Sequence, residues 1–225
     1  MLGRHHALLS ALTAAAIFLP LLTVRPILAL LGLAGVTIGS LLPDVDSPDA
    51  AIYHTEVRGM GGTAGDLVNS LAPIFPIFAY TVEYLIYKPS VYILDQFIFK
   101  NPSLELQHRG FTHSIFGITI VTSVTGFYLL IVVLIIHFFQ TPIFNAVGLL
   151  VFVGCLGFGQ ILHSMQDTAT VSGIKWFTPF SERHYRGRLR TSTRPKDRRP
   201  MELMITVLSI VTAGAFFVAV IDRGY

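Results

Sequence analysis

One cysteine, Cys155, is too few for an internal disulfide, and it sits inside an apolar run, so neither a cross-linked scaffold nor a thiolate-built zinc site organises this chain. Charge is equally scarce. Asp, Glu, Lys and Arg make up 13% of 225 residues, against 52% apolar ones. A soluble domain carries roughly 25% charged residues, so too little charge is present here to dress an ordinary water-exposed surface. The glycine-rich patch from Gly59 to Gly65 lacks a preceding strand and a closing lysine, which excludes a phosphate loop and leaves a turn. No solenoid-type repeat is found.

What the chain has in abundance is membrane-length apolar sequence. About 20 helical residues span the hydrocarbon core, and five stretches qualify: 7 to 24, 26 to 42, 114 to 138, 143 to 163 and 202 to 221. The expected architecture is therefore all-α, an integral membrane bundle of about five transmembrane helices plus interfacial helices. It forms one domain over 1–225, with a variable interfacial insertion at 50–105 and a basic loop at 182–200. The opening MLGRHHALLSALTAAAIFLPLL has features of a signal peptide, but a second apolar run follows at once and makes a helical hairpin the better reading. Within 67 to 99, Pro73, Pro76, Glu83, Lys88, Pro89 and Asp95 interrupt the apolar pattern, so this segment is expected in the interface or dipping into the membrane rather than crossing it.

Half of the Lys and Arg, eight of sixteen, fall between Arg183 and Arg199. By the positive-inside rule that loop faces the cytoplasm. The run lacks interleaved aromatics and any nucleic-acid-binding module, so anionic lipid head groups are its expected partners, and no nucleic acid is expected. Arg25-Pro26 and Gln140-Thr141-Pro142 each reverse the chain, which returns the start and finish of each hairpin to one membrane face.

That face collects the polar residues. LLPDVDSP supplies Asp44 and Asp46 after a helix-ending proline; HRGFTHS supplies His108 and His113, one just before a helix and one in its first turn; HSMQD supplies His163 and Asp167 four apart, on one side of a helix. His6 enters from the first helix. Any one of these has a bland reading as a cap or an interfacial polar group. Their convergence has none, because ionised carboxylates beside hydrocarbon are costly unless paired or coordinated. Imidazole mixed with carboxylate suits a divalent metal: Zn first, Mn or Fe as alternatives, and one or two ions for so many ligands. Metal-assisted hydrolysis follows. Arg109 and Asp46 are the candidate catalytic residues, Arg109 to neutralise developing charge, with Thr112 and Ser114 to orient the ligands. His137, at the far end of its helix, is excluded from the site, as are the loop residues His54 and His184.

In this order, LLPDVDSP, HRGFTHS and HSMQDTATVSGIKWFTPF resemble the YdjM-type family of predicted inner-membrane metal-dependent hydrolases, over most of residues 5 to 181. The resemblance implies that the quoted histidines and aspartates are the metal site and that hydrolysis is the activity. The chain departs from the family at Ser47, where a histidine commonly follows the second aspartate, and in a longer segment between the first two motifs. A fainter similarity, through the His163 to Asp167 spacing, is to zinc-dependent phospholipase C and related nucleases, and makes a lipid or phospholipid a candidate substrate. The main rival is a membrane transporter or metal-binding channel. Such sites sit near the bilayer midplane, whereas the helix centres here read as apolar. A membrane scaffold is a third reading, which leaves the converging ligand-type residues unexplained.

Overall fold

The computed structural model describes residues 3–47, 49–54, 73–99, 109–139 and 146–189, together with 200, 203–204, 207–208, 210–212 and 214. Among these, every regular element is helical: α1 Gly3–Phe18, α2 Pro26–Gly39, α3 Ile74–Val82, α4 Lys88–Ile93, α5 Ile115–Phe139 and α6 Ala146–Thr168. Extended pairing is confined to two isolated bridges, Thr170 with Leu189 and Ile174 with Tyr185.

Among the described residues, three of the five expected stretches are long and apolar enough to cross a membrane: Pro26–Asp46, Ile115–Phe138 and Ala146–Thr168. The helix expected over 7 to 24 is shorter, His6–Leu21, because Pro20 tightens the chain into a 3₁₀ turn at Leu19–Leu21. The span expected over 202 to 221 lies largely outside the described residues; those described are helical, and Thr212 donates to the Leu12 carbonyl, which places this segment against α1. The interrupted segment is helical throughout its described part. A π-helical turn, Glu83–Tyr87, joins α3 to α4, and a second, Leu94–Phe99, carries the same course past α4. Two of its charges are handled locally, since Lys88 pairs with Glu83 at 2.8 Å and the Tyr53 hydroxyl lies 2.7 Å from the other Glu83 oxygen.

Helices α2 and α6 touch backbone to backbone, and glycine is the cause. A Cβ on Gly39 would lie 2.1 Å from the Leu156 carbonyl oxygen, and one on Gly159 would lie 2.2 Å from that of Val36. Small residues let membrane helices approach this closely. The contact also sets the register of the site, because one turn beyond Gly159 the His163 ring reaches the Ser40 carbonyl. Beside it, Leu42, Val45, Ile52, Val82, Ile86, Phe111 and Leu156 form the buried apolar core, packing the α3–α4 course onto the turns that carry the polar motifs.

Candidate metal centre

Five of the seven expected ligands are brought together by four different elements. His6 comes from the first turns of α1, and Asp44 from the 3₁₀ turn Leu42–Asp46 that continues α2 past Gly39. His113 stands in a 3₁₀ turn, Phe111–His113, immediately before α5 rather than in its first turn, while His163 and Asp167 share one side of α6. His108 lies outside the described residues. His6, His113, His163 and Asp167 are all within about 1% of complete burial.

Each histidine spends its Nδ1 on an acceptor, so each turns an Nε2 lone pair inward. The His163 Nδ1 donates to the Ser40 carbonyl at 2.7 Å. Gln166 donates its amide to Ser10 at 3.1 Å, which leaves the Gln166 oxygen to accept from His6 Nδ1 at 2.8 Å. Thr112 donates to Asp46 at 3.2 Å, and its oxygen then accepts from His113 Nδ1 at 3.1 Å. The inward atoms crowd one another. His113 Nε2 and His163 Nε2 are 3.2 Å apart, and both face Asp44 Oδ1, at 3.5 and 3.4 Å. His6 Nε2 is 3.2 Å from Asp167 Oδ1, and the His6 and His163 rings stack at 3.9 Å. Asp167 Oδ2 lies 3.7 Å from His113 Nε2 and 3.9 Å from His163 Nε2.

Among the described residues, two groups of three are placed so that each could hold an ion, His6, His163 and Asp167, and Asp44, His113 and His163. They overlap at His163, which has only Nε2 to give. Asp167 presents one oxygen to each side and is the group able to bridge. Burial pushes the His113 imidazole below its ordinary range, against the upward pull of Asp44, so the ring is neutral and fit to ligate.

The remaining residues divide by what they touch. Asp46 reaches the centre through the Thr112 hydroxyl, which stands between its carboxylate and the His113 ring. Ser114 has a different part. Its hydroxyl accepts from the Gly117 backbone and donates to the Phe111 carbonyl, so it caps α5 instead of orienting a ligand. Arg109 adopts a left-handed backbone, φ 65, rarely taken by a side-chain-bearing residue. It is held there by an Nε contact to Asp167 Oδ2 at 3.1 Å and by a hydrogen bond to Ser172. Ser47 contributes its backbone N–H to the Asp44 carbonyl, closing the aspartate turn. His54, His137 and His184 are exposed, His137 near the opposite end of α5. Sequence reading missed Gln166 and the Ser40 carbonyl. Gln166 adjoins Asp167 in HSMQD, but nothing in the sequence says which ring it orients.

The chain after α6 folds back over the same end. Trp176 donates from its indole to Thr168 and accepts from the Ile115 backbone, and Phe180 packs edge-on against Phe116. The described part of the basic loop thus begins where α6 ends and α5 starts.

The model of the YdjM inner membrane protein family matches residues 1–223. No curated protein and no solved structure matches the chain.

Proposed function

The chain belongs to the YdjM inner membrane protein family, and from that premise we propose that it is a membrane-embedded, metal-dependent hydrolase acting on an ester or phosphoester bond in a lipid or lipid-linked substrate. The observation that carries this reading is the acceptor triangle of His113 Nε2, His163 Nε2 and Asp44 Oδ1. Lone pairs face lone pairs in a buried site, an arrangement that repels itself unless a cation lies among them. Three imidazoles with their tautomers fixed from outside, together with two carboxylates, fit a divalent ion with a preference for Zn; Mn and Fe are alternatives, and the two overlapping groups allow one ion or two.

When bound, such an ion would supply a Lewis acid and lower the pKa of water to near neutrality. The protein's own contribution is to hold the ligand atoms from four elements, to exclude bulk water by burial, and to keep the Arg109 guanidinium at the rim. Arg109 is less deeply buried than the ligands, with 22% of its side chain exposed. From there it can neutralise charge growing on a phosphoryl or acyl oxygen while Asp167 anchors it. Because Asp46 acts through Thr112, its part is to orient His113.

The site opens where membrane-length helices end, next to a loop carrying Arg183, Arg186 and Arg188, and this favours a substrate with an anionic head group in the adjoining leaflet. By the positive-inside rule that leaflet is the cytoplasmic one of the inner membrane. The test is lipid mass spectrometry of cells that lack the protein and carry either wild type or His113→Ala. A lipid class that accumulates without the protein, is cleared by wild type, and is left by His113→Ala supports the reading. Identical lipid profiles in all three strains contradict it.

A further inference from the structure

The helix centres are less apolar than the sequence suggests. In the seam between α5 and α6, Gln160 donates its amide to Thr122 at 2.9 Å, leaving its own carbonyl oxygen buried and without a hydrogen bond. The Ser164 and Thr125 hydroxyls are in the same condition. All three residues are at least nine-tenths buried.

Helix periodicity sets these groups in order along the two helices. Ser164 follows His163 directly and stands one turn from Gln160 on the same side of α6; Thr122 and Thr125 are three apart on one side of α5. Since α6 approaches the metal centre and α5 leaves it, the order running inward is Ser164, Gln160 with Thr122, then Thr125. Thr125 lies ten residues into α5, about 15 Å along its axis.

A membrane helix has a cheap way to satisfy a hydroxyl, by donation to the carbonyl four residues back. This protein uses it repeatedly: Thr13, Thr37, Thr81, Thr119, Thr168 and Thr212 all bond in this way. Ser164 and Thr125 do not, although each has the same carbonyl within reach. Buried polar groups in hydrocarbon find partners, and a small polar space lined by several such groups is where internal water resides.

We propose that the α5–α6 seam is a binding site for ordered water, a short hydrated file held by Ser164, Gln160, Thr122 and Thr125 that runs inward from the metal centre. The water beside Ser164 borders the layer of His163, so the file gives the centre contact with water from the protein interior as well as from its rim. This assignment is independent of the reaction and applies equally with or without metal.

The test is a map of the full-length protein in a lipid nanodisc at a resolution that shows ordered water. The expected result is density bridging Gln160 Oε1 and Ser164 Oγ, with a further peak on Thr125 Oγ1. If instead the seam is dry and the two hydroxyls have turned to the carbonyls of Gln160 and Val121, the assignment fails. Thermal unfolding of Thr125→Val gives a second readout. Loss of a water ligand lowers the melting temperature, whereas removal of an orphaned hydroxyl from a dry seam raises it. Neither readout depends on catalysis, so a dead enzyme with a wet seam, or an active one with a dry seam, separates the two claims.

Discussion

Thr112→Val is the most informative single change, because valine keeps the shape of threonine and removes only the hydroxyl that links Asp46 to His113. Both of its hydrogen bonds vanish, at 3.2 Å to the carboxylate and 3.1 Å from the ring. His113 stays buried, and its Nδ1 proton loses the oxygen that fixed the tautomer. Loss of an outer group that orients a metal-binding imidazole typically weakens metal binding by about 10- to 100-fold, or about 1.4 to 2.8 kcal/mol. Competition between the detergent-solubilised protein and a zinc-chelating dye measures this. Asp46→Ala should weaken zinc by a comparable factor, and the double variant should be little worse than either single one, since both break one chain. A zinc affinity of Thr112→Val within twofold of wild type, in a protein that retains its helical content, would refute the relay from Asp46 through Thr112 to His113.

Ser114→Ala should cost about 1 kcal/mol of stability, the usual loss for a helix cap, while leaving zinc affinity unchanged; thermal unfolding and the same dye competition check the two halves. Gly159→Val should fail to fold or lose more than about 3 kcal/mol, because its side chain meets the Val36 carbonyl, whereas Gly154→Ala, where nothing lies within 4 Å, should behave as wild type in a thermal scan. The metal-free protein should lose stability on acidification. His113 has a lowered pKa in the fold, so below about pH 6.5 the unfolded chain binds the extra proton first. His113 therefore contributes its full stability above that pH and progressively less below it. A melting temperature that is flat or rising from pH 7.5 down to 5.5 would contradict a buried neutral imidazole.

The motifs and their common membrane face were legible because each depends on a local rule. Pro43 marks the 3₁₀ turn that follows α2, a four-residue step keeps His163 and Asp167 on one side, and a reversal at Arg25-Pro26 returns the chain. Ser114 was expected to orient a ligand because it adjoins His113, and in the structure its hydroxyl bonds the Gly117 backbone and caps α5 instead. At α1 the apolar run continues through Pro20 although the α-helix does not, so the described helix is shorter than the run. What the sequence could not carry were distances across the bundle. The Ser40 carbonyl meets His163 only because Gly39 and Gly159 let two backbones touch, and Gln166 meets His6 only because α1 packs against α6. Such partners are set by packing between elements far apart in the chain, and no local pattern encodes them. The polar seam was overlooked for a related reason: Thr122, Thr125, Gln160 and Ser164 are diluted in apolar runs and become a file only when α5 and α6 are paired.

The metal content of protein purified without chelators, from cells grown with zinc, tests the account at its centre. Wild type and His137→Ala should each carry one or two equivalents of a divalent metal per chain by inductively coupled plasma mass spectrometry, and His163→Ala, which removes the ligand common to both groups, should carry almost none. Equal metal in His163→Ala and wild type, or no stoichiometric metal in any of the three, would contradict it.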